Sequence, residues 1–190
     1  FNLIKTSKKL IYASLGTIFN YDLSVFERII EAIRLLNDEN SENNDKLKVL
    51  ISCGQINMDK FSEKVKNSNY IIPKNVILLS YAPQIEILER ASLFITHAGM
   101  NSTSEAIHYG VPVLCMPIKV DQPLCAMRLV DDLNLGVKID ANSFKPEDLE
   151  QCISKVLNDQ SYLDRILKYS KLSRNYDGTK TTADIVECCI

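Results

Sequence analysis

Residues 96–122, reading THAGMNSTSEAIHYGVPVLCMPIKVDQ, place His97, Gly99, Asn101, Ser102, Glu105, Asp121 and Gln122 within one short stretch. Small polar residues stand where a helix would begin after an apolar run. Free N–H groups at such a start, with the positive end of the helix dipole, bind anions, phosphate most naturally. Gly99 would let backbone approach a ligand closely. Glu105 falls four residues after Asn101 on the same helical face, where a carboxylate could accept hydrogen bonds from a diol such as that of ribose. The same letters also read as a Ser/Thr cap with Glu three positions on, a purely structural device. Asn101-Ser-Thr is formally a glycosylation sequon. A glycan there would block an anion site, so the sequon is expected to be unused.

Other stretches offer complementary chemistry. YAPQ joins the aromatic face of Tyr81 to Gln84, an amide that both donates and accepts. A nucleobase needs one group to stack on and one to hold its edge, although Tyr81 alone reads more readily as the last core residue of a strand. Asp121 beside Gln122 suits sugar hydroxyls and is equally a helix cap. SLGT sets Ser14 and Thr17 around Gly16, a second phosphate contact or simply a glycine turn. There is no D-x-D triplet to hold a divalent metal on a diphosphate, and no G-x-G-x-x-G fingerprint. No metal and no cofactor are therefore expected.

Apolar runs at 10–16, 48–54, 76–81, 92–99, 112–117 and 135–140 read as strands. Their continuity, without strict alternation, predicts burial on both faces. Helical patterns occupy 22–36 (capped by Asp22 or Ser24), 84–91, 101–109, 122–133, 145–157 with Pro146 in the first turn, 161–174 and 181–189. The alternation predicts an α/β fold, a Rossmann-like, doubly wound parallel sheet. Ligands of such sheets sit at the carboxyl ends of the strands. SLGT, SCGQ, YAPQ, THAGMNS and KVDQ each follow a strand, and that convergence points to a site more strongly than any single motif. Residues 37–46, NDENSENNDK, read as a solvated loop. Neither an internal repeat nor a second domain is visible.

The 190 residues suit one domain. With 22 basic against 24 acidic residues and a net charge of -2, no electrostatic footprint for nucleic acid exists. The apolar runs are too short to span a bilayer. Six cysteines without C-x-x-C spacing read as reduced, mostly buried thiols, neither a disulfide framework nor a zinc site, so a cytoplasmic location is expected. The two histidines, His97 and His108, share no metal set with a cysteine.

Taken together, the segment YAPQ…SLFITHAGMNSTSEAIHYGVPVLCMPIKVDQ resembles the donor-binding signature of the family 1 UDP-glycosyltransferases, with the macrolide-glycosyltransferase branch the closer likeness. The likeness extends from LIYASLGTIFN to PEDLEQCISKVL. It implies a GT-B fold, two Rossmann-like domains facing each other across a cleft, with residues 1–190 as the C-terminal, nucleotide-sugar half. The acceptor-binding N-terminal domain would lie outside this chain. By the same resemblance, Tyr81 would stack near uracil and Gln84 would contact base or ribose. His97, Gly99, Asn101 and Ser102 would hold the diphosphate with help from Thr17. Glu105 would accept the ribose hydroxyls, and Asp121 with Gln122 would read the sugar. Two departures stand out: many members carry Trp where Tyr81 stands, and the segment between Glu89 and His97 is shorter than in plant members, which suggests the bacterial-like branch.

The function implied is inverting, metal-independent transfer of a hexose, glucose foremost, from UDP to a hydroxyl of a small lipophilic acceptor. The family's catalytic base lies in the N-terminal domain, so neither His97 nor His108 is assigned that role. The chain alone is expected to bind UDP-sugar without transferring it. Its partners would be the UDP-sugar, the acceptor, and either its own N-terminal domain or, alternatively, a separate acceptor-binding chain. An epimerase or a non-catalytic sensor of the same fold fits Asp121-Gln122 less well.

Overall fold

In the computed structural model, which describes residues 9–17, 22–36, 47–68, 70–176 and 178–189, the six expected strands form one parallel sheet. They are β1 (Lys9–Ser14), β2 (Leu47–Ser52), β3 (Val76–Leu79), β4 (Leu93–Thr96), β5 (Val113–Cys115) and β6 (Gly136–Lys138). Their order across the sheet is β3-β2-β1-β4-β5-β6. Ser14, at the end of β1, is in register with Ser52 of β2 and Thr96 of β4, so three strand ends emerge level with one another. Side chains alternate along β1 as a strand's pleat requires. Ile11 and Ala13 enter one core layer, Leu10 and Tyr12 the other.

Each layer is closed by helices. On the Ile11 side pack α1 (Leu23–Leu36), α2 (Gly54–Ser68) and α6 (Pro146–Asn158). On the Tyr12 side pack α3 (Gln84–Leu88), α4 (Met100–Tyr109), α5 (Gln122–Met127) and, through Ile166, α7 (Gln160–Asn175). The sheet is thus doubly wound. Phe26 of α1 and Phe61 of α2 are wholly buried, and truncating such a residue to alanine costs about 3–5 kcal/mol. α1 starts where Asp22 Oδ1 accepts the Ser24 amide at 2.9 Å. α6 starts at Pro146, with Asp148 Oδ2 reaching back to the Lys145 amide at 3.0 Å.

Two helices differ from expectation, while the thiols are free and mostly buried as expected. α2 was not anticipated from the sequence. The helix expected over 122–133 is α only to Met127, then a π turn over Arg128–Asp132. Cys53, Cys115 and Cys125 are buried and Cys152 is half-buried, but Cys188 and Cys189 are exposed at the end of α8 (Gly178–Cys188); all six are free thiols. The expected loop at 37–46 lies outside the described residues. Among the described residues no helix is long and apolar enough to cross a membrane.

Candidate functional site

The winding direction reverses between β1 and β4, and a crevice opens there at the carboxyl ends of the strands. It is a cavity of about 730 Å³, the size of a small-molecule site. Ser14–Thr17 after β1 and Ser52–Asn57 at the start of α2 form two of its walls. The Ser80–Ala82 turn with Gln84, the His97–Ser102 turn and Val120–Gln122 form the others. Among the described residues, no Lys or Arg lines it.

The feature with the chemistry to receive an anion is the start of α4. Gly99 is its N-cap, extended at φ -67° and ψ 154°, with no side-chain cap bond. The Ser/Thr-Glu capping box, the alternative reading of this stretch, is therefore not formed. The first amide of the helix, Met100 N–H, donates instead to Asp121 Oδ2 at 3.1 Å, from across the cavity. The amides of Asn101 and Ser102 keep the unpaired character of a helix's first turn, and both residues line the cavity. Asp121 occupies the cap position of α5 but makes no side-chain cap bond there. Its loop is held by the Gln122 side chain, whose Oε1 accepts from the Ile118 and Lys119 amides at 2.8 and 3.1 Å. Gln122 is buried, and only its NH2 remains for a ligand. Between them Val120 adopts φ 63° with its side chain 80% exposed, a strained conformation for a β-branched residue.

His97 stands between two glycines. A Cβ on Gly16 would meet the ring's Nε2 and Cε1 at 2.8 Å, and a Cβ on Gly99 would meet Nε2 at 2.5 Å. The room beside Gly99 is thus filled by the imidazole. Gly16 also has φ 79°, the left-handed conformation that glycine tolerates. His97 Nδ1 is buried without a hydrogen-bond partner among the described residues. Burial holds the ring's pKa below its ordinary 6.5, while the Asp121 carboxylate and the Ser14 backbone pull partly the other way. Burial thus favours the neutral imidazole, and a further anion beside the ring would add to the pull of Asp121 towards protonation.

Tyr81 is 79% exposed, since β3 ends at Leu79, so it is not the core residue it could have been. Its ring is free on the cavity wall, available for stacking. Gln84, the first residue of α3, is engaged on three sides. Its Oε1 accepts from the Tyr12 hydroxyl at 3.3 Å, and its NH2 donates to Glu105 Oε2 at 2.5 Å and to Ser102 Oγ at 3.3 Å. Both amide hydrogens are thereby used, leaving one Oε1 lone pair to accept from a ligand. Glu105 is not among the lining residues and stands one layer behind, against Gln84.

A family profile described as "UDP-glucoronosyl and UDP-glucosyl transferase" matches residues 46–177. The chain belongs to this family. Among its relatives is "Uncharacterized UDP-glucosyltransferase YdhE" of Bacillus subtilis (strain 168), 34% identical over 164 residues, which cover 86% of this chain and 37% of that protein. The chain therefore spans well under half the length of such a relative. The solved structure of the glycotransferase of kitacinnamycin superposes with a TM-score of 0.80 at 25% identity, over 96% of this chain and 43% of that one. Os79 from O. sativa, solved with UDP, superposes with a TM-score of 0.79 at 23% identity, over 98% and 41%; that likeness shows the fold alone. The neighbours are GT-B glycosyltransferases, so the expected fold class is the one found.

Within this family member, the cavity gathers Thr17, Tyr81, Gln84, His97, Gly99, Asn101, Ser102, Asp121 and Gln122, nine of the ten candidates, and leaves Glu105 behind them. His108 lies elsewhere, its carbonyl held by Ser170 and Arg174 on α7. Sequence reasoning placed SCGQ, with Gly54 and Gln55, at the site without giving it a role, and missed Asn57 because α2 was unseen. It also missed Tyr12, whose hydroxyl in the apolar run LIYAS was the available signal.

Proposed function

We propose that this chain is the C-terminal, donor-binding half of an inverting, metal-independent glycosyltransferase of the macrolide-glycosyltransferase-like branch. It would move a hexose, glucose foremost, from UDP to a hydroxyl of a small lipophilic acceptor. The observation that carries the reading is the start of α4, open on the same cavity as the exposed Tyr81 ring and the Asp121-Gln122 loop. Base, diphosphate and sugar would then lie in series from Tyr81 past Asn101 and Ser102 to Asp121 and Gln122.

In this reading the acceptor hydroxyl is deprotonated by a base carried on the acceptor-binding part and attacks the anomeric carbon from the face opposite UDP. The residues here act on the leaving group. The Asn101 and Ser102 amides and the α4 dipole stabilise the departing diphosphate, with His97 beside it and Thr17 at the β1 end. Ser102 Oγ already accepts from Gln84, which leaves its own hydrogen to donate outward. Glu105 serves the ribose hydroxyls from behind Gln84. Exposed Met100 and Val120 line this end of the cavity, and Leu124 and Met127 are exposed on α5, which begins there. Such an apolar rim suits contact with an acceptor-binding partner, whether a domain of the same polypeptide or a separate chain.

Calorimetric titration with UDP, with ADP, and with UDP on Glu105→Ala tests the donor assignment. UDP should bind in preference to ADP, and the variant should lose about ten- to hundredfold in affinity, the worth of a hydrogen bond to a charged group. Equal binding of UDP and ADP, or none by a folded chain, would sink the reading. The chain by itself should glycosylate no acceptor above background.

A further inference from the structure

We propose that Tyr12 is a positioning residue for ribose recognition, holding Glu105 in place through the Gln84 amide. The inference rests on the reading of Glu105 as the acceptor of the ribose hydroxyls. Tyr12 belongs to the central strand β1, is 1% exposed, and stacks on Phe94 with ring centroids 5.1 Å apart and planes 12° from parallel. A phenylalanine would fill the same space. The hydroxyl is the added feature, and a buried hydroxyl without a partner is costly. It donates to Gln84 Oε1 at 3.3 Å, on the cavity wall where the Ser14 and Ser52 hydroxyls also reach it. Burial pushes the phenol up to about 12, so it remains a donor throughout the neutral range.

Gln84 needs that anchor. It is the first residue of a five-residue helix, whose N-cap Pro83 offers no side-chain cap bond. Its amide is oriented by three agreeing constraints. The Tyr12 donor faces the carbonyl, while the Glu105 carboxylate, which only accepts, and the Ser102 hydroxyl oxygen face the NH2. Glu105 has no other hydrogen bond among the described residues, so its orientation depends on the Gln84 NH2. Remove the phenol oxygen and the amide can turn away from Glu105, leaving the carboxylate to choose its own rotamer. The reach from Tyr12 to the ribose is thus two hydrogen bonds long, and nothing in it requires Tyr12 to touch the ligand.

The test compares affinities for UDP and 2′-deoxy-UDP in the protein, in Tyr12→Phe and in Glu105→Ala. The unsubstituted protein should prefer UDP, and Glu105→Ala should abolish the preference. Tyr12→Phe should weaken UDP about three- to tenfold, one neutral hydrogen bond's worth, and leave 2′-deoxy-UDP nearly unchanged, so the ratio falls. A ratio unchanged in Tyr12→Phe while Glu105→Ala abolishes it overturns the proposal, as does an equal loss for both ligands, which marks a packing role only. A preference that survives Glu105→Ala, or is absent at the outset, condemns the ribose reading itself. Circular dichroism checks that Tyr12→Phe is folded. If it is not, Gln84→Met, which keeps the β1 core intact and removes the amide, must lower the same ratio, and an unchanged ratio again overturns the proposal.

Discussion

The imidazole of His97 fills the space that a Cβ at Gly16 or Gly99 would need, and that predicts a specific pattern of couplings. At Gly99 the backbone is extended, φ -67° and ψ 154°, a conformation open to alanine. The obstacle to Gly99→Ala is the ring, with Nε2 2.5 Å from the new Cβ. Overpacking of this kind costs about 1–3 kcal/mol, and alanine as an N-cap adds up to about 1 kcal/mol. Gly16→Ala meets the same ring at 2.8 Å and also carries the left-handed φ of 79°, worth about 1–2 kcal/mol. Deleting the ring with His97→Ala should remove the clash but neither backbone cost. Urea unfolding of each single and double variant then gives two coupling energies. Both should be at least about 1 kcal/mol in the sense that His97→Ala rescues the alanine. The residual cost at Gly16 should exceed that at Gly99. Either glycine costing the same with and without the ring, to within about 0.5 kcal/mol, would refute the packing account and point to a backbone requirement instead.

Two further outcomes are expected. With its free pKa held below 6.5 by burial, His97 binds fewer protons folded than unfolded, so its contribution to stability is complete above 6.5 and is lost as pH falls toward the folded value. A diphosphate beside the ring raises its pKa, so binding takes up a proton and UDP-glucose should bind more tightly as pH falls below neutrality. His97→Gln should flatten that slope in titrations at several pH values, and an identical slope in the variant would remove His97 from the diphosphate site. Val120→Gly relieves a β-branched residue at φ 63° whose side chain is 80% exposed. It should raise stability by about 0.5–1 kcal/mol, the strain outweighing the added backbone freedom. A lower urea midpoint would mean that Val120 is not strained in solution.

The fold was legible because its strands are continuous apolar runs. Val49, Leu50 and Ile51 of β2, and Leu93 to Thr96 of β4, are buried on both faces, and no helix periodicity competes there. α2 was not legible from its own residues. Only Asn57 and Phe61 are buried in it, while Ile56 and Val65 are exposed, so no apolar stripe marks its period. Topology could have supplied it: β2 and β3 are parallel neighbours, and a parallel pair needs a crossover of a dozen or more residues, usually a helix. The site was legible as a place, since five polar turns followed five strands, but not as a set of contacts. Which carboxylate caps α4, and which residue fills the space at Gly99, depend on side chains meeting across the crevice from segments distant in sequence. Asp121 and Met100 are an instance that no local spacing encodes.

The absence of Lys and Arg from the cavity lining among the described residues bears on how it could handle a diphosphate. Long basic side chains would have to be ordered around each ligand, at a cost in rotamer entropy. The α4 amides are already fixed by the helix, and their dipole needs no reorganisation when charge develops on a leaving group. His97, whose burial favours the neutral ring, can add a charge when an anion approaches. Asp121 completes the economy, since its carboxylate satisfies the Met100 amide and would otherwise face an unpaired helix start. An arrangement of this kind binds an anion by geometry that exists before the ligand does, and for that reason its weak points are the residues that set the geometry, Gly16, Gly99 and Gln84, rather than any cation.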